Sequence, residues 1–564
     1  MKHKNGIVIS FIILILFGIC LTYYLINKYQ STSSSSDNTT LLDTDVNTDD
    51  DDEKIDWSIY ETTNYELTES IIITKAGVYN LTGTIDDGSI TINTSGNVKL
   101  ILDNVSITNS SGSAILVKNA EDVVIETTED SINIMQDGSD YDDDIGVIFS
   151  HSDLTFEGSG LLKIISNNED GIVSTDDLKF VSGKYNINSS DDAIRGKDSV
   201  YIVNGTFNIN ASGDGIKATN DSDTDKGFIK ITGGLFNITS SLDAIQAETK
   251  LIIDNGTFTI STGTSSILTS SDSAWGTWSN TEDSDSAKGL KSGDTLIINN
   301  GTFTLDTSDD AIHSNDYVGI KNATINISSG DDGIHADESL IIDSGKIDIS
   351  QSYEGLEAYK LTINNGDISI IASDDGINVA GGNDSSSQNG RAGQNPMNST
   401  GSSVLTINGG SVTVNASGDG LDANGSIYIN GGNVLVYGPT NDGNGSVDYD
   451  SVLEVTDGTL IAGGSSGMLQ SCSTSSSIYS ATIVFAANYG ENDIISIVDN
   501  NNTEIASFTG KKDFNALVVA SPSFAKGSSY KILINGEEYE SFTISDMVTT
   551  VGNINTMGNM QGRR

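Results

Sequence analysis

Asp/Glu-Gly/Ala-Ile/Leu triplets open at Asp170, Asp192, Asp214, Asp243, Asp310, Asp332, Glu354, Asp375 and Asp419, and a weaker copy stands at Lys288-Gly289-Leu290. Several carry a second acid in front, as in Asp191-Asp192, Asp309-Asp310, Asp331-Asp332 and Asp374-Asp375. Carboxylates stacked strand on strand, about 4.8 Å apart, repel unless they are protonated, paired or bridged by a hard cation. Calcium suits such a stack, because it takes roughly six to eight oxygens in flexible geometry. Calcium ligands are therefore expected among Asp191, Asp192, Asp214, Asp243, Asp309, Asp310, Asp331 and Asp332. Asp221-x-Asp223-x-Asp225 is also like the opening half of a calcium loop, although Lys226 stands where such a loop prefers Gly. Tight Asp-Gly corners that need no ligand are the alternative.

Directly after each apolar Ile or Leu of a triplet comes a position held by Arg195, Lys217, Gln246, Lys291, His313, His335, Glu357, Asn378 and Asp422. Lys+Arg 28 and His 4 make 32 of 564 residues, so nine random positions would hold about half of one basic residue; five are found. The row reads as a track for a polysaccharide that carries carboxylates, since Arg binds a carboxylate bidentately. Neutralisation of the neighbouring Asp residues competes with that reading. Trp275 and Trp278, in an insert beside the row, are expected to stack on sugar rings. No catalytic residue is assigned. The enzymatic rival is a lyase in which calcium acidifies a uronate C5 proton and Arg195 or Lys217 is the base, and a structural surface adhesin with no glycan partner is the second alternative. Paired carboxylates occur throughout, so none is diagnostic of glycoside hydrolysis.

These residues are positioned by a repeat. Gly205, Gly234, Gly256, Gly301, Ala323, Gly345, Gly366, Gly410 and Gly432 mark copies separated by 29, 22, 45, 22, 22, 21, 44 and 22 residues, a unit of 22. Within a unit the apolar residues alternate with period two and no helical period competes. Short strands whose face pattern returns in the same order once per unit make a parallel β-helix, right-handed because parallel crossovers overwhelmingly are. Its core is expected to be two stacks, Val200, Ile229, Leu251, Leu296, Val318, Leu340 and Phe207, Phe236, Phe258, Phe303, Ile325, Ile347. The irregular gaps insert Asn220 to Gly227, the Trp275 segment and Gly381 to Ser402, all flanking the triplet strand.

The formal net charge of -50 leaves no long basic surface, which argues against nucleic acid as a partner. Residues 1–6 read as a short cytoplasmic tail, 7–26 as a transmembrane anchor and 27–56 as an acidic Ser/Thr-rich linker. A cleaved secretory signal is the alternative for 7–26, and either way the body is exported. The β-helix is expected over 57–470, a small β module over 471–552 that caps its open end, and a flexible tail over 553–564. Cys20 and Cys472 do not suit an intrachain disulfide in the exported part, and a monomer is expected.

The succession Asp192-Ala193-Ile194-Arg195-Gly196, Asn204-Gly205-Thr206-Phe207-Asn208-Ile209 and Asp214-Gly215-Ile216-Lys217-Ala218, with Ala520-Ser521-Pro522-Ser523 and Gly527-Ser528-Ser529-Tyr530 near the end, resembles the clostridial cell-surface carbohydrate-binding family. The resemblance covers about residues 57 to 545. It implies a pectate-lyase-like right-handed β-helix, calcium sites on that helix, binding of cellulose and acidic plant polysaccharides such as polygalacturonate, and no established lyase activity.

Overall fold

The computed structural model describes residues 55–139, 141, 146–263, 286–379 and 403–552. Period-two alternation decides which side chains turn inward, and the inward ones form continuous stacks. Val200, Ile229, Leu251, Leu296, Val318 and Leu340 are consecutive partners in parallel register, and all are fully buried. Phe207, Phe236, Phe258 and Phe303 lie ring on ring, with centroids 5.0, 4.5 and 4.7 Å apart and planes within 3°. Ile325 and Ile347 continue that stack. Both expected core stacks are thus present in full.

The Gly-Thr-Phe spelling has a steric cause. At Gly256, φ is +148° and a Cβ would lie 2.6 Å from Cε2 of Phe258, so the corner turns beneath the ring only where no side chain intervenes. Where Ala323 replaces the glycine, Ile325 replaces the ring, and the positive φ moves to Asn322, at 48°.

Each strand pairs in parallel with its equivalents one repeat before and after. The short strands Ile172–Ser174, Ile194–Gly196, Ile216–Ala218, Ile245–Ala247, Leu290–Ser292 and Ile312–Ser314 form one such row. Asp177–Phe180 opens onto Ser199–Ile202 in a second row, and Lys184–Ser189 onto Thr206–Ala211 in a third. The result is an all-β chain built on a long parallel sheet whose strands recur in threes, compatible with the expected β-helix. Among the described residues the only helix is one 3-10 turn, Trp57–Ile59. No helix among them is long and apolar enough to cross a membrane; the segment 7–26 lies outside the described residues, as do nearly all of the linker and the tail 553–564.

The chain divides into two units, Met1–Asp45 and Val46–Arg564. Within the second, the residues after the repeats close the last rung. Phe514–Ala520 pairs antiparallel with the final repeat strand Thr459–Gly464 on one edge and with Ser480–Tyr489 on the other. A separate antiparallel sheet of Glu504–Thr509, Ile494–Asp499, Ser529–Ile534 and Glu537–Thr543 packs its own core, with Phe508, Phe514, Tyr530 and Phe542 beside Tyr437 of the repeats. Cys472 is free and buried.

Candidate functional site

The triplet strands hold their second residue in one unbroken row. Arg195, Lys217, Gln246, Lys291, His313, His335, Glu357, Asn378 and Asp422 are successive register partners. The acid that opens each triplet forms a second row beside it, and a hydrogen-bond relay runs along that row. Asp170 Oδ1 accepts from the backbone N of Asp192 (3.1 Å), Asp192 Oδ1 from Asp214 (2.8 Å), Asp214 Oδ1 from Asp243 (2.8 Å) and Asp243 Oδ1 from Lys288 (2.7 Å). The relay resumes from Asp310 to Asp332 (3.0 Å) and from Asp332 to Glu354 (3.1 Å). One carboxylate oxygen of each acid therefore satisfies a buried backbone donor of the next rung, a structural task that needs an acid or amide here.

The other oxygen meets the first row. Arg195 Nε donates to Asp170 Oδ2 at 2.7 Å, Lys217 Nζ lies 2.5 Å from Asp214 Oδ2 and 3.7 Å from Asp192 Oδ2, and Lys291 Nζ donates to Asp243 Oδ2 at 2.9 Å. Burial opposes the charge of Lys217, but the charges of Asp214 and Asp192 outweigh it and leave its pKa raised. Burial and the neighbouring acids push Asp170 and Asp214 up to about 6 even so, Arg195 and Lys217 pulling the other way. Lys288 stands where an acid stands in the other triplets. It is 1% exposed, and its Nζ lies 2.7 Å from Asp309 Oδ1 and 2.8 Å from Asp310 Oδ2.

His313 and His335 are fully buried, with Nδ1 of His313 2.8 Å from Asp310 Oδ2 and Nδ1 of His335 3.3 Å from Asp332 Oδ2 and 2.8 Å from Glu357 Oε2. This corrects the expectation that both line a polysaccharide track: rings at zero exposure touch carboxylates of their own rungs, not a ligand on the surface. Arg195, Lys217 and Lys291 keep side-chain exposures of 33%, 25% and 24%, so they alone of the five bases present atoms outward.

Beyond His335 the row carries no base. Glu354, Asp375, Asp419 and Asp422 follow, with Asp374 and Asp448 beside them. Burial first, then neighbouring acids, push Asp375 up to about 8 and Asp422 to about 7. Asp419 rises to about 6 for the same reasons, although the Gly445 amide pulls it back. Asn378 Nδ2 donates to Glu354 Oε2 at 2.7 Å, while Asn378 Oδ1 and Glu357 Oε1 are buried with no hydrogen-bond partner among the described residues. The calcium expectation stopped at Asp332; the missed signal was the change of the first row from basic to acidic at Glu357.

The expected ligands elsewhere have other partners or open settings. Asp191 is half-buried, Asp309 pairs with Lys288, and Asp331 is exposed. Asp221, Asp223 and Asp225 are exposed on a loop whose turn is closed by Asn220 Oδ1, which accepts from Ser222 (3.1 Å) and Asp223 (3.1 Å), and by Lys226 Nζ, 2.5 Å from Asp198 Oδ2. Trp275, Trp278 and the insert Gly381 to Ser402 lie outside the described residues. A second outward row went unread in the sequence: Lys179, Tyr201 and Lys230 are register partners between inward residues, with Lys179 Nζ 5.7 Å from the Tyr201 ring centre.

An all-β stack of parallel rungs with ordered charge along one row defines a repeat scaffold with regularly spaced groups. Residues 68–333 match the family model described as carbohydrate-binding domain-containing protein. A carbohydrate-binding domain-containing protein of Acetivibrio thermocellus is 33% identical over 126 residues, 21% of this chain. The chain spans 44% of that relative's length. A solved structure described as the polysaccharide lyase-like protein from C. thermocellum, a gadolinium derivative, is 30% identical, covering 36% of this chain and 91% of that one, with a TM-score of 0.35.

Proposed function

We propose that the chain is an extracellular, cell-surface protein that binds plant cell-wall polysaccharide, acidic pectin-type polymers such as polygalacturonate or cellulose, with calcium. The single observation that carries this reading is the carbohydrate-binding match over residues 68–333, which spans the rungs bearing Arg195, Lys217 and Lys291. On this reading the rungs wind as a right-handed parallel β-helix, residues 7–26 tether a monomer to the membrane, and the half-exposed cations meet uronate carboxylates at the outer edge of the row. The Lys179, Tyr201 and Lys230 row offers a second surface, where an aromatic face can stack on a sugar ring.

Calcium fits the far end of the row better than its start. Asp375, Asp419, Asp422 and Asn378 Oδ1 supply only oxygen, as a hard cation prefers, and their raised pKa values express negative charge without an internal partner. Bound there, the ion would supply the positive charge that Arg195, Lys217 and Lys288 give to earlier rungs.

Binding is favoured over lyase chemistry by the state of the two candidate bases. A base must be deprotonated to accept the C5 proton, whereas Lys217 is held as a cation by Asp214 and Asp192, and Arg195 is engaged by Asp170. Retention on polygalacturonate, cellulose and xylan, with and without calcium, tests the reading, read beside ultraviolet absorbance for unsaturated uronate. Retention on the acidic polymer or cellulose without new absorbance is expected. Absence of retention on all three overturns binding, and rising absorbance restores the lyase.

A further inference from the structure

The rings of His313 and His335 stack 4.8 Å apart at an interplanar angle of 14°. His335 has oxygen at both nitrogens: Nε2 lies 3.0 Å from Asp337 Oδ1, and Nδ1 lies 3.3 Å from Asp332 Oδ2 and 2.8 Å from Glu357 Oε2. An ionised carboxylate only accepts, so Asp337 fixes a proton on Nε2. In the neutral ring Nδ1 then carries a lone pair, and a lone pair against two carboxylates is repulsive. Something positive belongs among these three atoms. A proton, on the ring or on Asp332, whose carboxyl burial and Asp331 push well above its ordinary range, is one solution, and a divalent cation, which attracts all three atoms at once, is the other.

An independent observation points to the cation. Glu357 is 1% exposed, yet its Oε1 has no hydrogen-bond partner among the described residues. A buried carboxylate oxygen left unpaired costs about 1–3 kcal/mol or more. A proton on His335 satisfies Oε2 and leaves Oε1 as it is. An ion bound by the whole carboxyl group uses both.

We propose that Asp332, His335 and Glu357 form a site for a borderline-soft divalent ion of the Zn2+ class, separate from the oxygen-only calcium set on the following rungs. Imidazole nitrogen with carboxylate oxygen is a donor set for zinc, whereas calcium takes oxygen alone. The Asp337 contact at Nε2 is the outer support that metal-bound histidines use to orient the ring. Among the described residues of the row, this is where a histidine is followed one rung on by a glutamate; on earlier rungs Arg195, Lys217 and Lys291 bring their own charge. In the metal-free protein carboxylate oxygens at both ring nitrogens favour a second ring proton. Burial opposes that charge, but the hydrogen bonds that the ring donates to Asp332, Asp337 and Glu357 outweigh it and raise the His335 pKa well above its ordinary value. Binding therefore exchanges a proton for the ion: the Nδ1–H bond breaks, an Nδ1–metal bond forms, one proton leaves to solvent and the site gains one net positive charge.

The test uses the full chain freed of metal by dialysis, titrated with Zn2+ by calorimetry in two buffers of different ionisation enthalpy, and with Co2+ by visible absorption. One equivalent should bind with proton release, and millimolar Ca2+ should not displace it. His335→Gln and Glu357→Gln should each weaken binding at least tenfold. No binding, equal displacement by Ca2+, or unchanged affinity in both variants overturns the site. The chain has four histidines, so 15N-histidine labelling of the unmutated protein gives a readout that survives a variant's failure to fold. The buried Nδ1–H signal of His335 should vanish at one equivalent of Zn2+, and its persistence at saturation overturns the proposal.

Discussion

Lys288 and Asp310, on adjacent rungs and both fully buried, form an ion pair at 2.8 Å. Lys288 takes the place an acid holds in the other triplets, and its ammonium also reaches Asp309 at 2.7 Å. Burial opposes the charge of Lys288, yet Asp310 and Asp309 outweigh it and raise its pKa, and Lys288 with His313 holds Asp310 well below the usual range against its own burial.

Lys288→Met is expected to destabilise the protein by about 3–5 kcal/mol, because it leaves buried carboxylates without their cation. Adding Asp309→Asn and Asp310→Asn should return part of that loss. Urea unfolding midpoints check both, and a single variant within about 1 kcal/mol of the parent would show that the pair is dispensable.

Stability should also depend on pH at the other end of the row. Asp375, Asp422 and Asp419 have folded pKa values of about 8, 7 and 6, all above the ordinary 3.8. A raised acid binds more protons folded than unfolded, so stability falls as pH rises from about 4 to about 8. In chelator the melting temperature should drop across that range. In calcium the slope should flatten. An identical slope in both conditions removes calcium from these residues.

Arg195→Ala with Lys217→Ala should weaken retention on polygalacturonate and reduce its sensitivity to salt, since two cationic partners for uronate carboxylates are lost from a screened surface. Trp275→Ala with Trp278→Ala should cost cellulose retention first, and Tyr201→Ala serves as the control for the second outward row. Affinity electrophoresis at two salt concentrations distinguishes the three. Equal losses on both ligands for every variant would place the binding face elsewhere.

Phe258→Ala should cost about 3–5 kcal/mol, because it opens a cavity between stacked rings on either side. Gly256→Ala should also destabilise, its Cβ colliding with the same ring and its φ remaining at +148°. Combining Gly256→Ala with Phe258→Ile, the pair found two copies on at Ala323 and Ile325, should lose less than Gly256→Ala and Phe258→Ile measured singly and added. Strict additivity would show that ring and glycine are independent.

The repeat was readable because each rung poses the same steric problem, and the same residues solve it: Gly256 makes room for Phe258, and Leu251 lies between Ile229 and Leu296. The two charge rows were readable as spacing but not as contacts. Position after the inward Ile places Arg195 and His335 in one row, yet the depth of each depends on side-chain length: an arginine reaches past the rung and a histidine stops inside it. Sequence pattern carries no such depth, so both were assigned to the surface. Nor did composition tell which acid has an internal cation, since that requires knowing that Asp310 faces Lys288 across a gap of 22 residues. The strand Phe514–Ala520 belongs to the module expected to cap the open end, but its antiparallel pairing with Thr459–Gly464 was not legible, because the segment leaves the 22-residue register.

That closing strand makes the column directional. At its other end Thr62–Leu67 pairs with Gly77–Ile85 along one edge, and most of its side chains are exposed. Where each rung holds only its neighbours, fraying begins at whichever end is least covered. Amide protons should therefore exchange in a gradient, fastest beside Thr62 and slowest toward the Thr459 rung, so that the column opens like a zipper with a single slider instead of coming apart from both ends.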